Sequence, residues 1–285
     1  MVGYIVYMSD EGGFWVLTAN LGGQSWMGFE DRKAAAAEVL RRHPVSLIGF
    51  QEFGENNWNV LSASLPRFER ITGEMIDDRG ERIFVNTVAY DTCRFTPLSQ
   101  TTLWLTPDGS RGPGWDGGIR AATVVRFKTC DAEPAREFVH VNAHLDNQGK
   151  VARLAGTQLI LDYLKRNCES LPTIVTADSN VSVASPHDMW KDPDMRRPYH
   201  LMQDAGFTDT WTTPRPRTYH GFKGRDYEGD PFGTYDTEWI FVRGFTVREC
   251  VLIEDAVGGV FPSDHYWMKA RIAFSGPEGE PKIGR

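Results

Sequence analysis

Short apolar runs alternate with polar loops along the chain, and most runs have the length of one β-strand. Phe14–Leu21, for example, is apolar throughout most of its length and stops before Gly22 and Gly23, which favour a turn. The pattern predicts eight strands. They are Phe14–Leu21, Val45–Phe53, Arg82–Tyr90, Gly118–Thr129, Glu137–His144, Thr173–Asp178, Glu238–Val242 and Ser263–Phe274.

Two segments follow a helical pattern instead. Phe29–Arg42 is rich in alanine, begins with acidic residues and ends with two arginines, an arrangement that complements the helix dipole. Lys150–Asn167 places apolar residues on one helical face. Strands outnumber helices, and several neighbouring strands lie too close in sequence for a helical crossover. The sequence therefore predicts mixed or antiparallel sheets with helices packed outside.

The 285 residues, of which 41% are hydrophobic, are enough for a large core. No stretch has the composition of an interdomain linker, so we expect one domain over residues 1–275, followed by a loose tail at 276–285. No apolar run reaches the roughly 18–20 residues of a transmembrane helix, and the N-terminus lacks the pattern of a signal peptide. The four cysteines form no CxxC pair. These features indicate a soluble, cytoplasmic protein.

The net charge is −7, from 31 Lys and Arg against 38 Asp and Glu. A protein that binds long nucleic acids normally has a basic surface, because counterion release supplies much of the affinity. One stretch, residues 191–225, departs from the overall balance, since seven Lys/Arg against four Asp give it a net +3. Two interpretations stay open for this stretch: a solvated loop, or a rim that faces phosphate groups.

Polar side chains gather where the predicted strands meet loops. Each such residue alone has an ordinary explanation as a turn residue, a strand terminator or a helix N-cap. Together, carboxylates and amides at strand ends indicate oxygen ligands, which suit Mg²⁺, Mn²⁺ or Ca²⁺ better than zinc. Two histidines in the same positions could transfer protons or contact phosphate. The residues are Asn20, Gln51, Glu52, Asn142, His144, Asp178, Asn180, Asp264 and His265.

Eight segments of this chain, in the same order and spacing, resemble the endonuclease/exonuclease/phosphatase superfamily, the deoxyribonuclease I-like group of metal-dependent phosphoesterases. The segments are TANLGG, IGFQE, WDGGIRAATVVRF, VHVNAHLD, IVTADSN, TYHGF, EWIFV and PSDHYWMKARI. The resemblance covers about residues 14–274, and it is greatest to small bacterial members. It implies an α/β (α+β) fold, a four-layer sandwich in which two mixed β-sheets pack face to face with helices outside.

The resemblance also implies roles for individual residues, with Mg²⁺ or Mn²⁺ as the cofactor. Asn20, Glu52 and Asp264 match positions at the metal, and Glu52 is the principal carboxylate ligand. His144 matches a histidine that contacts the scissile phosphate. Asp178 and Asn180 match the pair that orients the attacking water and holds the phosphate. His265 matches a histidine that polarises the phosphate or acts as a base, and Glu238 matches the carboxylate that orients it.

The chain departs from the family pattern at three positions. Ala177 stands where the family has glycine, so this residue must adopt an ordinary strand conformation. Ser179 replaces a larger buried side chain and brings a hydroxyl that needs a partner. Glu238 is one methylene longer than the usual aspartate, and Asp236, on the same strand face, is an alternative partner for the histidine.

Further residues are expected on the substrate side. Arg120, Asn142 and His220 are candidates for substrate binding. Loop aromatics beside the basic stretch could stack on a base or an apolar leaving group, or could simply pack against the sheet edge. These aromatic residues are Trp115, Trp190, Tyr199 and Trp211.

The function expected is hydrolysis of a phosphate ester by metal-assisted attack of water, with a small phosphorylated molecule or a short phosphodiester as substrate. One alternative is a DNA or RNA nuclease of the same superfamily. A second alternative is a degenerate or repurposed homologue with a binding or non-hydrolytic role.

Overall fold

The structure is a computed structural model that describes residues 13–23, 28–73, 85–130, 134–211 and 214–276. Strands and helices alternate irregularly along these ranges. In chain order they are β1 (Gly13–Asn20), α1 (Phe29–Arg42), β2 (Leu47–Phe53), α2 (Glu55–Leu61), β3 (Phe68–Thr72), β4 (Val85–Asp91), β5 (Phe95–Trp104), β6 (Ala121–Thr129), β7 (Glu137–His144), α3 (Lys150–Cys168), β8 (Thr173–Asp178), α4 (Pro193–Asp204), β9 (Thr208–Asp209), β10 (Glu238–Arg243), β11 (Phe245–Ile253) and β12 (Trp267–Phe274).

The strands form two mixed six-stranded sheets. The order is β11-β12-β1-β2-β4-β3 in the first sheet and β5-β6-β7-β8-β10-β9 in the second. The pairs β1–β2 and β7–β8 are parallel, and all the other pairs are antiparallel. Apolar residues of α1 pack on the outer face of the first sheet, and those of α3 and α4 pack on the outer face of the second. This arrangement confirms the predicted α/β sandwich.

The inner faces of the two sheets meet in an aromatic core. Phe127 and Phe138 of the second sheet stack with ring centroids 5.5 Å apart. Phe14 of the first sheet contacts Phe95 and Phe138 from the other side, at 5.1 and 5.8 Å. Aromatic rings of this size bury much apolar area, so these contacts hold the sheets together at one end of the sandwich.

The inner face changes from apolar to polar along each central strand. Successive side chains of a strand point to opposite faces, so every second residue lies between the sheets. On β7 these residues run from an aromatic side chain through neutral polar ones to a histidine, and β1 and β8 also pass from apolar to polar. The inner-face series are Phe138-His140-Asn142-His144, Phe14-Val16-Thr18-Asn20 and Ile174-Thr176-Asp178.

A buried hydrogen-bonded belt separates the aromatic core from the polar edge, and we call it the polar belt; it consists of Thr18, Gln51, His140, Asn142 and Thr176. The Asn142 carbonyl oxygen accepts from Gln51 Nε2 at 2.7 Å and from Thr176 Oγ1 at 3.1 Å. Its amide nitrogen donates to two backbone carbonyl oxygens, at 2.8 and 3.0 Å. Asn142 is fully buried, so the expected substrate-binding role is wrong and this side chain joins the two sheets.

The predicted elements lie where they are expected, with ends shifted by a few residues. Phe29–Arg42, Glu137–His144 and Thr173–Asp178 have the predicted bounds. The final strand begins at Trp267, because the Ser263–Tyr266 segment forms the turn that enters the sandwich. Residues 82–84 of one predicted strand, and all but residue 276 of the predicted tail, lie outside the described residues. No helix in the described ranges is long and apolar enough to cross a membrane.

Sequence patterning missed four strands, which are β3, β5, β9 and β11, and two helices, which are α2 and α4. β3, β5 and β11 lie at the ends of their sheets, where polar residues and a proline interrupt the apolar run. The pattern predicts a loop for the basic stretch, yet the stretch contains α4. The first residues of α4 are typical of a helix start. The Asp192 carboxylate caps the helix by accepting from Asp194 N at 3.0 Å, and Pro193 occupies the first helical position.

Gly49 of β2 provides a test of how closely the sheets approach at the polar belt. A Cβ on this residue would lie 2.0 Å from Thr176 Oγ1 and 2.6 Å from Asn142 Oδ1. We expect Gly49→Ala to lower the free energy of unfolding by about 2 kcal/mol or more, because overpacking displaces the belt. Gly112→Ala is the control, since nothing lies within 4 Å of the added methyl group. Equal stability of the two variants in urea denaturation would contradict the described packing.

His140 makes the stability of the fold dependent on pH. Burial lowers the pKa of His140 to about 3, whereas the unfolded chain takes up this proton near pH 6.5. Below about pH 6 the unfolded state therefore binds one more proton, and stability falls by about 1.4 kcal/mol per pH unit as the pH decreases. His140→Gln should lose this part of the slope between about pH 6 and 4.

Chemical denaturation at several pH values measures that difference in slope. His200→Gln is the matched control, because His200 is exposed on α4. Identical slopes for wild type and His140→Gln would show that His140 is not buried in the neutral form.

Candidate active site

Six strand ends meet at the polar edge of the sandwich. The parallel pairs β1–β2 and β7–β8 finish there, and the antiparallel strands β10 and β12 start there. Asp178 therefore lies in register with His144 on one side and with Glu238 on the other. The topology brings seven of the residues expected at the site to this edge, namely Asn20, Glu52, His144, Asp178, Glu238, Asp264 and His265.

The carboxylate of Asp178 is the centre of this group. Its Oδ2 accepts from Asn20 Nδ2 at 2.8 Å and lies 3.5 Å from His144 Nε2 and 3.9 Å from His265 Nε2. Its Oδ1 accepts from the backbone N–H of Asn180 at 3.1 Å. Asp178 is only 1% exposed. A buried carboxylate needs such donors, because its charge has lost the hydration it had in water.

His265 is paired with Glu238. The Nδ1 of His265 lies 2.5 Å from Glu238 Oε1, and Thr237 Oγ1 lies within 3.5 Å of both side chains. Burial disfavours the imidazolium, but the carboxylates of Glu238 and Asp178 outweigh it and raise the pKa of His265 well above its usual value. The bond to Glu238 also turns Nε2 of His265 toward Asp178. Asp236, the alternative partner, binds Arg215 at 2.8 Å instead.

His144 has the opposite charge state. Burial lowers the pKa of His144 to about 3, and the nearby guanidinium of Arg120 acts in the same direction. Arg120 is held by Asp146, with Nε 3.4 Å from Oδ2, and by Asn147 Oδ1 at 3.1 Å. The site thus combines a neutral imidazole, a charged one and a half-buried guanidinium around the Asp178 carboxylate.

Two residues at the site have a left-handed backbone. Glu52 has φ of 52° and Asn180 has φ of 50°. Non-glycine residues in this region cost on the order of 1 kcal/mol or more and cluster at functional sites. The register of β2 with β4 shifts between Phe50 and Phe53, and this irregularity turns Glu52 out of the regular strand.

Two of the three departures from the family pattern, Ala177 and Ser179, lie in or next to β8 and fit a regular strand. Ala177 lies within β8 and does not have positive φ. Ser179 is fully buried, and its hydroxyl donates to the Thr237 carbonyl oxygen at 2.7 Å and accepts from Val181 N at 3.1 Å. The smaller side chain therefore leaves no unsatisfied hydroxyl.

Asn20 presents its amide nitrogen, not its oxygen, to the acidic residues. Its Oδ1 accepts from Gly22 N at 2.7 Å, which fixes the orientation of the amide. The Nδ2 donates to Asp178 at 2.8 Å and lies 3.5 Å from Glu52 Oε1. In this orientation the amide nitrogen of Asn20 faces two carboxylates, whereas the resemblance implied a position at the metal for this residue.

Arg32 of α1 is a functional neighbour that sequence patterning missed. Its guanidinium is fully buried and donates to the carbonyl oxygens of Leu21 at 2.7 Å, Gly22 at 2.8 Å and Pro262. Burial lowers the pKa of Arg32, and the carboxylates of Asp264 and Glu52 oppose that shift. Arg32 therefore ties the loop that follows β1 to the segment that leads into Asp264. The only sequence signal is an arginine on an alanine-rich helical face.

Tyr219, not His220, is the residue of the TYHGF segment that contacts the site. Its ring centroid lies 4.9 Å from that of His265, edge to face. His220 is fully buried between the rings of Phe261 and Tyr266, and its Nδ1 accepts from Gly224 N at 3.2 Å. Burial lowers the pKa of His220 to about 4. The expected substrate contact through His220 is therefore wrong.

Four of the seven cations in the basic stretch 191–225 are paired with acids. Arg215 is buried, pairs with Asp209 and Asp236, and donates to the Glu238 carbonyl oxygen at 2.6 Å. Several other cations of the stretch are paired with acids at the surface. These pairs are Lys191–Asp188, Arg197–Asp204 and Arg225–Glu254. Trp190 and Tyr199, expected near a phosphate-facing rim, pack on the core of the second sheet, and Tyr199 does so from α4.

The donor set at the edge fits a divalent cation. Asp178, Glu238 and His265 have possible ligand atoms within 4.8 Å of one another. Glu52 and Asp264 are half-buried, and the charges of both carboxylates act on the guanidinium of Arg32. The close pairing of His265 with Glu238 occupies that histidine. The carboxylates of Glu52 and Asp264 offer further oxygen atoms, and hard oxygen donors suit Mg²⁺ or Mn²⁺.

No protein-family model matches the sequence, and no curated protein is significantly similar to it.

Solved structures match it over nearly its whole length. An endonuclease/exonuclease/phosphatase from Bacteroides vulgatus has a TM-score of 0.76 and 24% identity, over 92% of this chain and 99% of that one. A mannosyl-6-phosphatase from Bacteroides thetaiotaomicron has a TM-score of 0.73 and 22% identity, over 91% and 99%. TDP2 of D. rerio, solved with a single-strand DNA product, has a TM-score of 0.71 and 14% identity, over 91% and 98%. The chain thus has the fold of the endonuclease/exonuclease/phosphatase proteins.

Proposed function

We propose that this protein is a divalent-metal-dependent phosphoesterase that hydrolyses the phosphate ester of a small phosphorylated molecule or a short phosphodiester. The observation that carries the proposal is the surrounding of Asp178, whose buried carboxylate lies between His144 and the Glu238–His265 pair. A buried base, a charged imidazole and further acids at one sheet edge suit attack of water on phosphorus. Similarity of fold to a phosphatase and to TDP2 supports the same class of reaction.

Asp178 acts as the general base in this proposal. It takes a proton from water, the water oxygen adds to phosphorus, and the ester P–O bond breaks. The products are phosphate, or a phosphomonoester from a diester, and an alkoxide that takes up a proton from solvent. Asn180 lies two residues after Asp178, its backbone N–H donates to the Asp178 carboxylate, and its side chain is half-buried. We assign it, with His144, to hold the phosphoryl group, because both lie beside the attacked position.

His265 donates to the phosphoryl oxygens as an imidazolium. Glu238 fixes its orientation through Nδ1 and leaves Nε2 directed to the centre of the site. Arg120, kept in place by Asp146, adds a second fixed cation close to His144. Donors held in position before the reaction stabilise developing negative charge without reorganisation, which is the largest contribution in many hydrolases.

Glu52 and Asp264 would hold the metal ion, which we propose to be Mg²⁺ or Mn²⁺. When bound, the ion polarises the phosphoryl oxygen and offsets charge on the leaving group. The residues of this chain orient the ligands: Asn20 donates to Asp178 and approaches Glu52, and Arg32 ties the loop after β1 to the segment that leads into Asp264. The repulsion among four clustered carboxylates would fall on binding, so the ion should also stabilise the fold.

The second candidate function is a nuclease that acts on long DNA or RNA. It is motivated by the similarity of fold to TDP2, which was solved with a single-strand DNA product. Against it stand the net charge of −7 and the paired cations of the 191–225 stretch, which leave little basic surface for a phosphate backbone. A degenerate binding protein is less favoured, because Asp178, bonded to Asn20, lies beside a Glu238–His265 pair.

We also propose that residues 1–275 form one domain and that the protein is cytoplasmic, since all four cysteines are free thiols.

The deciding experiment is a screen of phosphorylated small molecules, short phosphodiesters, plasmid DNA and single-stranded RNA, each with Mg²⁺, Mn²⁺ or EDTA. Turnover of small phosphoesters that EDTA abolishes supports the proposal. Cleavage of nucleic acids alone would favour the nuclease, and the absence of turnover throughout would favour the binding protein.

Glu52→Gln tests the metal ligand. We expect the affinity for Mn²⁺, measured by calorimetry, to fall at least tenfold, because a charged oxygen ligand is replaced by a neutral amide. Turnover should fall with it and recover partly at high metal concentration. Glu30→Gln is the control, an exposed acid on α1 whose loss should change neither quantity. Unchanged metal affinity in Glu52→Gln would remove Glu52 from the metal site.

Asp178→Asn tests the base. We expect kcat to fall by about 10²–10⁴, the usual contribution of a general base, with no recovery at high metal concentration. The substituted amide can still accept from Asn20 Nδ2, so circular dichroism should show a folded protein. Asp204→Asn, at an exposed ion pair with Arg197, is the matched control. Near-normal kcat in Asp178→Asn would contradict the proposed mechanism.

A further inference from the structure

A short turn beside the candidate active site carries an exposed tryptophan. The segment 105–120 joins β5 to β6, and Ala122 of β6 pairs with Ala143, next to His144. Within this segment Pro113 and Ile119 form an isolated β-bridge, and Trp115 lies at the tip between them. The tip therefore stands at the same edge of the sandwich as the catalytic groups proposed above.

Trp115 has a backbone conformation that tryptophan rarely adopts. Its φ is 43°, inside a tight turn closed by the bond from Gly117 N to the Gly114 carbonyl oxygen at 2.7 Å. This region favours glycine and asparagine, and a bulky residue there costs on the order of 1–3 kcal/mol. A large side chain in such a conformation is unfavourable for folding, and so it points to a use outside folding.

The turn is fixed firmly to its surroundings. The Asp116 carboxylate accepts from Ala152 N at 2.7 Å and Val151 N at 3.1 Å, and so caps the first turn of α3. Gly118 N donates to Asp146 Oδ2 at 2.7 Å, and Arg120 Nε lies 3.4 Å from the same oxygen. Asp146 thereby holds the turn and Arg120 in one fixed arrangement.

Trp115 and its neighbours leave apolar surface open to solvent. Trp115 and Ile119 are each 39% exposed and Val151 is 49% exposed. These three make up half of the six exposed large hydrophobic side chains in the described ranges, and they come from one turn and the helix end it caps. We call them the Trp115 patch. Single exposed apolar residues are common, but a rigid apolar group rimmed by a cation is typical of a binding site.

We propose that the Trp115 patch binds the ring of the substrate's leaving group, while Arg120 contacts the phosphate attached to it. The inference rests on the phosphoesterase function proposed above. An indole face stacks on the flat face of a ring, whether the C–H face of a sugar or the face of a nucleobase. The substrate class is therefore a ring-bearing phosphate ester rather than a phosphorylated open chain.

Steady-state kinetics on four phosphomonoesters test this subsite. Three carry rings: p-nitrophenyl phosphate, a hexose 6-phosphate and a nucleoside 5′-monophosphate. Glycerol 3-phosphate carries none. For Trp115→Gly we expect KM to rise about tenfold for the ring substrates the enzyme prefers, with kcat within about twofold, because stacking contributes to binding of ground and transition states alike. KM for glycerol 3-phosphate should not change. The preferred ring substrate shows whether a sugar or a base is bound.

Variants and controls separate binding from folding. Trp115→Phe keeps an aromatic ring, so its KM for the ring substrates should stay close to that of the wild type. Trp115→Gly relieves the positive φ, so its melting temperature should equal or exceed that of the wild type. Leu98→Ala is the matched control, an exposed apolar residue on β5 near the opposite end of the sandwich, and should change no constant.

Each outcome decides a separate point. A wild-type enzyme with metal-dependent turnover whose KM values do not respond to Trp115→Gly would overturn the inference and leave the proposed function standing. A loss of stability together with an equal loss of activity on all four esters would assign Trp115 a structural role and also overturn it. A wild-type protein that hydrolyses no phosphate ester would overturn the proposed function itself.

Discussion

The active edge of this protein depends on one buried charge, the carboxylate of Asp178. Burial of a carboxylate is unfavourable unless donors replace the lost water, and in this fold the donors come from both sheets. Asn20 at the end of β1 reaches it from the first sheet, and Asn180 N and His144 reach it from the second. The same contacts therefore join the two sheets at this edge and assemble the groups that we propose for catalysis.

Between that charge and the aromatic core lies the polar belt, in which Gln51, Asn142 and Thr176 satisfy one another. Such a layer contributes less apolar burial than a continuous core, but it sets the spacing of the sheets through directional bonds. Gly49 fits against it because a side chain would overlap Thr176. The belt and the left-handed backbones of Glu52 and Asn180 have one feature in common. At this edge the chain accepts less favourable packing and backbone conformations in order to hold polar groups in fixed positions.

The matching folds include a mannosyl-6-phosphatase and TDP2 with a single-strand DNA product, so one sandwich supports different substrates. In such scaffolds the sheets fix the reacting groups and the loops determine what else is bound. In this chain the basic 191–225 stretch turns inward, through Arg215, to support β10 and Glu238. The turn that carries Trp115, with its exposed apolar side chain, is the loop that we propose to contact the substrate.

From the sequence, the short apolar runs predicted mixed sheets with helices outside, and the resemblance of eight segments to a known family implied the sandwich and the candidate site. Asn20, Glu52, His144, Asp178 and His265 each fall at or next to a strand end, where the structure brings them to one edge. The sequence did not determine edge strands such as β5, whose exposed faces weaken the apolar pattern. Nor did it separate Tyr219 from His220, or show that Asn142 is buried and that Arg32 ties the loop after β1 to Pro262. Those outcomes depend on contacts between residues far apart in the chain, and only the packing of one sheet on the other decides which polar side chains face the site and which face each other.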